Sequence, residues 1–245
     1  MFELEGRKAL VTGAGRGMGL GIAATLAKQG AHVVVNDLFP ERAREACRTL
    51  QEKGYVASHA SFDVTDYSAV SLAVADLGPI DILVNNAGIP GVEGMELKPF
   101  IDMSPEDWRP QVDLNLYGTL NCTHCVLPGM VSRGWGRVLV ISSDAGRAGT
   151  NAGVTIYGSC KAAAVQLVRN LSQEVADKGI TINAIALGPM DNLPKEYEEW
   201  MVRGIPVGRM GSPDDAGAAA AFLASEESGW VTGQLLPVNG GMNPS

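Results

Sequence analysis

The chain has 245 residues, 46% of them hydrophobic and 19% charged, with a formal net charge of −8. That composition supplies a sizeable core and argues against a disordered chain. The negative charge disfavours nucleic acids and anionic membrane surfaces as partners.

Short apolar runs alternate with helical patterns from the first residues on. Met1 to Lys8 lacks a basic stretch followed by an apolar one, so no signal peptide is expected there and the cytoplasm is the expected location. Strands are predicted at Ala9–Thr12, His32–Asp37, Val56–Ala60, Ile80–Asn85, Arg137–Ser142, Ile180–Ile185 and Gln234–Val238. They are almost continuously apolar, as strands buried on both faces should be. Helices are predicted at Gly17–Gln29, Pro40–Lys53, Asp66–Asp76, Ser104–Met130, Ile156–Lys178 and Pro213–Ala224, with Gly30, Gly54 and Gly179 placed as terminators. The longest apolar run, Ala216 to Ala224, is too short to span a bilayer. Strand–helix alternation without a linker or repeat predicts an α/β fold. It is expected to be a single Rossmann-type doubly wound parallel sheet of seven strands over residues 1–245, with helices on both faces. The ligand is expected outside the C-terminal ends of the strands.

Thr12-Gly13-Ala14-Gly15-Arg16-Gly17-Met18-Gly19 follows the first strand and opens the first helix. Glycines permit a tight turn and a close approach to a pyrophosphate, and the helix start offers unpaired N–H groups to the anion. Asp37 ends the second strand, 18 residues past Gly19, where a carboxylate accepts hydrogen bonds from ribose hydroxyls and repels a 2′-phosphate. Arg16 points the other way, since a cation in this loop can pair with that phosphate. Asp37 weighs more heavily, so NAD(H) is favoured and NADP(H) remains open. Tyr157 and Lys161 stand at i and i+4, on one helix face. A phenol titrates too high to be an efficient base at neutral pH, and a neighbouring ammonium favours its ionised form.

Cys122-x-x-Cys125 lacks the further ligands that a structural zinc needs, and reads as small apolar packing on a helix; Cys47, Cys160 and the three histidines carry no metal pattern, so no metal is expected.

These motifs, in order, resemble the roughly 250-residue branch of the short-chain dehydrogenase/reductase family, which includes 3-oxoacyl-carrier reductases and hydroxysteroid dehydrogenases. The residues concerned are Thr12 to Gly19, Asp63-Val64, Asn85-Asn86-Ala87-Gly88, Asn115, Ile141-Ser142-Ser143, Tyr157/Lys161, Ile205 to Gly211 and Val238 to Gly241. The resemblance implies hydride transfer between a nicotinamide and a secondary alcohol/ketone pair, without a metal. It implies that Ser143 orients the substrate oxygen, that Tyr157 transfers the hydroxyl proton, and that Lys161 assists the phenol and holds the ribose. Asn115 would anchor a relay water. Gly13, Arg16, Gly17, Met18, Gly19, Asp37, Leu38, Asp63, Val64, Asn86, Ala87, Gly88, Gly188 and Met190, with Tyr157 and Lys161, would line the cofactor. It also implies a homotetramer paired through the helices around 115–130 and 157–178.

Three features depart from the family pattern. Ser143 and Tyr157 are 14 residues apart, one more than the common spacing, which leaves Ser142 as an alternative serine. Leu187-Gly188-Pro189 stands where Pro-Gly is usual, and Asn192 where threonine is usual. Substrate choice is expected from the loops Ile89–Asp102, Asp144–Ile156 and Asn192–Pro206. The last is short for a lid, which predicts an open pocket for a bulky substrate such as an acyl chain, a steroid or a cyclic ketone. Glu196, Glu198 and Glu199 read as a solvated helix face or as a screen against anionic substrates. Two other readings stay open: a cofactor-sensing regulator without turnover, and a methyltransferase, for which the Ser143, Tyr157 and Lys161 set has no purpose.

Overall fold

A computed structural model describes residues 1–88, 97–150, 152–191 and 195–244. The strands are β1 (Lys8–Val11), β2 (His32–Asp37), β3 (Ala57–Ser61), β4 (Ile82–Asn85), β5 (Gly136–Ser143), β6 (Ile180–Leu187) and β7 (Leu235–Val238). They form one parallel sheet in the order β3-β2-β1-β4-β5-β6-β7. The helices are α1 (Gly17–Lys28), α2 (Pro40–Glu52), α3 (Tyr67–Leu77), α4 (Pro105–Val112), α5 (Gly118–Arg133), α6 (Thr155–Val175), α7 (Lys195–Val202) and α8 (Pro213–Ala224).

Alternation along each strand divides the core in two. Ala9, Val11, Val33, Val35, Ile82, Val84, Leu139 and Ile141 face α1, α2 and α8. Leu10, Val34, Leu83, Val138 and Val140 face α3, α5 and α6. Both faces are therefore covered, which explains why the strands read as unbroken apolar runs. The order in which the chain adds strands reverses at β1: β2 lies on one side of it and β4 on the other. That reversal opens a crevice beyond the ends of β1 and β4, where the glycine turn sits.

Two elements differ from expectation. The predicted helix Ser104–Met130 is α4 and α5 joined by a π-helical turn, Asp113–Tyr117. Pro110 lies inside α4 and supplies no N–H, and the Asn115 side chain donates to Gln111 O (3.0 Å), so the ladder is disturbed at both points. Within 192–206, α7 occupies Lys195–Val202. Its charge-rich sequence, Lys-Glu-Tyr-Glu-Glu-Trp-Met-Val, has no long apolar stripe to announce it.

At the far edge from the crevice, Trp135 lies between two guanidinium groups, with Arg7 Cζ 3.6 Å and Arg137 Cζ 4.5 Å from its ring centroid. Arg137 is buried and donates to Ser225 O (3.1 Å) and Gly136 O (3.0 Å). Replacing it removes a donor from each carbonyl, although Ser225 O keeps the Ser228 Oγ donor (3.1 Å), and leaves Glu226 without its 3.6 Å partner. Arg137→Met is expected to lower stability by about 2–4 kcal/mol, read from urea unfolding, with no change in cofactor affinity. A loss under about 0.5 kcal/mol would show the cluster to be decorative.

No helix among the described residues is long and apolar enough to cross a membrane.

Candidate active site

The glycine turn is built by exclusion. Gly13 adopts a positive φ of 61°, and a Cβ there would meet Ala87 Cα at 2.8 Å. A Cβ on Gly19 would collide with Asn86 Nδ2 and Gly13 O. Thr12 ties this turn to the end of β4: its Oγ1 accepts from Asn86 N (3.1 Å) and Ala87 N (3.0 Å), while Asn86 Nδ2 donates to Thr12 O (2.9 Å) and Gly13 O (3.0 Å). Asn36 Oδ1 accepts from Gly13 N (3.3 Å). Thr12 and Asn36 are thus structural keys that the sequence reading passed over.

Exposed Arg16 is the N-cap of α1 and makes no side-chain cap, and no acidic residue occupies the first turn. The N–H groups and positive dipole end of α1 are left available for an anion. Gly17 and the partly buried Met18 follow in its first turn.

Asp37 is buried, accepting from Gly15 N (3.2 Å) and Phe39 N (3.0 Å). A Cβ on Gly15 would lie 2.5 Å from Asp37 Oδ2, so Gly15 clears the space that the carboxylate occupies. Leu38 is exposed beside it. A second cation, not singled out in the sequence, stands at this corner: Arg42 stacks on Phe39 with Cζ 4.2 Å from the ring centroid. Asp63 folds back on Thr65, accepting from its N and its Oγ1 (both 2.8 Å). Val64 is buried against Gly118 at the start of α5. At the other end of the crevice, Gly188 packs on Asn239, and buried Met190 pairs with Gly211.

The structure brings Ser143, Tyr157, Lys161 and Asn115 to one place. Ser143 ends β5, its Oγ accepting from Ala145 N (3.2 Å), and its side chain favours the ionised form of the Tyr157 phenol. Ser142 instead is buried, and its hydroxyl is engaged in donating to Lys161 O (3.2 Å). Lys161 is buried; its Nζ donates to Ile141 O (2.9 Å) and lies 5.6 Å from the Tyr157 ring centroid. A Cβ on Gly88 would stand 3.0 Å from Asn115 Oδ1 and 3.2 Å from Lys161 Nζ, so both polar atoms converge on Gly88. Asn115 Oδ1 is buried without a protein partner among the described residues.

Two glycines set the distance between the β5 turn and α6. A Cβ on Gly158 would lie 2.5 Å from Ala145 O, and one on Gly146 would lie 2.9 Å from Lys161 and Ala162 backbone atoms. Neither could be recognised from the Tyr-x-x-x-Lys spacing.

Burial pushes the Tyr157 phenol above its ordinary range, and the Ser143 hydrogen bond pulls part of that back. Burial also depresses Lys161 to about 8. The Lys161 amine donates to Ile141 O and still stands 5.6 Å from the Tyr157 ring centroid, protonated for the most part at neutral pH.

The residues present fit a dinucleotide. The uncapped α1 start suits the pyrophosphate, the Gly13/Ala87 contact keeps the crevice open, and Asp37 suits the adenosine ribose. The unpartnered Asn115 Oδ1 next to Lys161 Nζ suits a bound water or hydroxyl. Among the described residues no cluster of three or more His, Cys, Asp or Glu side chains could hold a metal ion. Cys122 is buried with its thiol pushed up to about 12, as the packing reading of Cys122-x-x-Cys125 requires.

Asn192, the side chains of Glu196 and Glu198, and most of the loop Ile89–Asp102 lie outside the described residues. Several large apolar side chains are exposed on the described flanks of these loops. Leu97, Phe100, Ile101 and Trp200 are exposed, and Phe100 stacks on Trp108 (centroids 5.8 Å apart). A cavity of about 430 Å³ is lined by Leu97, Pro99, Thr150, Ala152, Gly153 and Thr155, directly before Tyr157.

A family model described as Enoyl-(Acyl carrier protein) reductase matches residues 13–243. A 7alpha-hydroxysteroid dehydrogenase of Escherichia coli is 38% identical over 250 residues, covering 98% of this chain and 95% of that protein. A solved 3-oxoacyl-[acyl-carrier protein] reductase with bound NAD, from Brucella melitensis, superposes with a TM-score of 0.93 at 34% identity, covering 100% of this chain and 94% of that one. A gluconate 5-dehydrogenase from Burkholderia cenocepacia, in complex with NADP and tartrate, superposes with a TM-score of 0.91 at 35% identity, covering 98% and 96%.

Proposed function

The chain belongs to the short-chain dehydrogenase/reductase family of oxidoreductases, and from that membership we propose that it interconverts a secondary alcohol and a ketone with NAD(H), using Ser143, Tyr157, Lys161 and Asn115. The observation that supports this reading is that Lys161 Nζ lies 5.6 Å from the Tyr157 ring centroid and converges with Asn115 Oδ1 on Gly88, beside the glycine turn.

When bound, the nicotinamide supplies the hydride acceptor or donor and, oxidised, a positive ring. The chain's own residues do the rest. Ser143 holds the substrate oxygen next to the Tyr157 hydroxyl. Tyr157 accepts the alcohol proton in oxidation and returns it in reduction. Lys161 donates to the nicotinamide ribose, and Asn115 Oδ1 holds the water through which the proton leaves Tyr157. The phenol is raised by burial, so a positive charge close to it is needed before it works as a base; the oxidised cofactor answers that need in the oxidising direction.

Asp37 supports NAD(H) over NADP(H), because a carboxylate beside a 2′-phosphate costs about 1–3 kcal/mol. Arg16 and Arg42 stand ready at the same corner once the carboxylate is removed. Asp37→Ser is expected to shift the kcat/KM ratio toward NADPH by about 10- to 100-fold. A native enzyme that is faster with NADPH, or a ratio unmoved by the substitution, would contradict this preference.

The exposed apolar side chains of Leu97, Phe100 and Ile101, on the segment that helps line the 430 Å³ cavity, support a bulky, largely apolar ketone or alcohol. The reading is tested by a panel of steroids, cyclic ketones, acyl thioesters and small alcohols, assayed with both cofactors by NADH absorbance. Turnover confined to small alcohols would refute the bulky-substrate reading, and absence of turnover with cofactor binding intact would favour a sensor. A homotetramer belongs to the same proposal; light scattering near the 25.7 kDa chain mass would refute it.

A further inference from the structure

Ser143 is followed by a buried carboxylate that the catalytic scheme does not use. Asp144 is 8% exposed and sits in the turn Asp144–Gly146. Three donors surround it: Arg147 Nη1 (3.0 Å), Asn239 Nδ2 (2.9 Å) and Asn243 Nδ2 (3.0 Å). Arg147 Nη1 also donates to Asn243 O (3.1 Å), as does Asn239 Nδ2 (3.2 Å). Two partners therefore come from the segment after β7, about a hundred residues away in sequence. The same segment is fixed at its root: Gly241 N donates to Asn239 Oδ1 (3.1 Å), Gly188 N donates to Val238 O (3.0 Å), and Gly188 leaves no room for a Cβ against Asn239.

A surface carboxylate needs no such enclosure. Three side-chain donors are directed at this one, and it is joined by a single peptide bond to Ser143, whose side chain favours the ionised Tyr157 phenol. The main chain of the turn is held too, with Arg147 N and Ala148 N donating to Asp144 O (both 2.9 Å). Restraining Asp144 restrains the Ser143 backbone, and with it the direction of the Ser143 hydroxyl.

We propose that Asp144, Arg147, Asn239 and Asn243 form a positioning clamp, by which the segment after β7 holds Ser143 in hydrogen-bonding register with Tyr157; this rests on reading Ser143 as the substrate-orienting hydroxyl. The four are positioning residues: they reach the reaction only through Ser143. Because the Ser143 bond favours the ionised phenol, loosening the clamp raises the pH at which Tyr157 ionises. The groups facing Tyr157 are then Lys161, 5.6 Å from its ring, and Ser143 itself.

The test uses Asn243→Asp, which keeps the shape but replaces the donor with a like charge, together with Asn243→Ser and Arg147→Met. Tyr157 ionisation is followed by phenolate absorbance, isolated by subtracting the Tyr157→Phe spectrum, alongside kcat, KM and NADH affinity. Asn243→Asp and Arg147→Met are expected to raise the Tyr157 midpoint by about half to one pH unit and to lower kcat on the order of 10-fold, with NADH affinity changed less than about 2-fold. Asn243→Ser, which keeps a donor, is expected to fall between them and the native protein. Asn243 is partly exposed, so its variants carry the test should Arg147→Met not fold. Folded variants with an unmoved midpoint and native kcat would overturn the clamp, provided Ser143→Ala moves both. Were Ser143→Ala to move neither, the reading of Ser143 would fall and the clamp with it.

Discussion

Tyr157→Phe is expected to lower turnover in both directions by roughly 10²- to 10⁴-fold, the range that a positioned acid/base contributes, while NADH binds as tightly as to the native protein. The substitution removes one oxygen from a partly buried ring and leaves α6 packed on the β5 turn through Gly158 and Gly146. No main-chain hydrogen bond is lost, and stability should change by less than about 1 kcal/mol. Rate and affinity are measured on the same preparation, by absorbance and by NADH fluorescence. A variant that keeps native turnover would mean the proton travels by another route. A variant that also loses NADH would mean Tyr157 serves binding rather than chemistry.

The second large effect concerns Lys161. Lys161→Met is expected to lower turnover by about 10²-fold or more, since the ribose donor and the link to Asn115 both go. Its effect on stability has a distinctive pH dependence. The unfolded lysine titrates near 10.5, and burial brings the folded one to about 8. The folded state therefore binds fewer protons between those values, and the native protein gains stability as pH rises through that window. Below pH 8 the buried ammonium costs the native fold roughly 3 kcal/mol, a penalty that is gone above about 10.5. Methionine never carries this cost, but it leaves Ile141 O without its donor, a pH-independent loss of about 1–3 kcal/mol. The variant should thus match native stability at pH 7 or exceed it by up to about 2 kcal/mol, and fall behind it by pH 10. Urea unfolding at both values checks this. A stability difference that does not change with pH would show that Lys161 titrates alike in the folded and unfolded chain.

The fold and the crevice were legible because their signals are local. Val33-Val34-Val35 and Arg137 to Ser142 read as doubly buried strands from composition alone, and the Thr12 to Gly19 turn shows its purpose in its glycines. The convergence of Ser143, Tyr157 and Lys161 was legible through resemblance. What escaped depends on residues that meet across the fold. Gly15 makes room for Asp37, Gly158 for Ala145 and Gly146 for Lys161, and a glycine in a loop or helix does not announce its neighbour. The Asp144 clamp joins residues 95 and 99 positions apart and has no periodicity. The π turn at Asp113–Tyr117 hid inside a good helical pattern, because one extra residue in a turn leaves hydrophobic spacing nearly intact. The Lys161 bond to Ile141 O escaped for a different reason: an i, i+4 spacing says that two side chains share a face, but not which carbonyl of β5 one of them also meets.

The most direct test of the proton-transfer assignment is the pH dependence of kcat/KM for alcohol oxidation, compared between the native protein and Tyr157→Phe. The native rate should rise with pH along a single ionisation, and the residual rate of the variant should lack that limb. The same limb at the same pH in both proteins would place the titrating group elsewhere and contradict the role given to Tyr157.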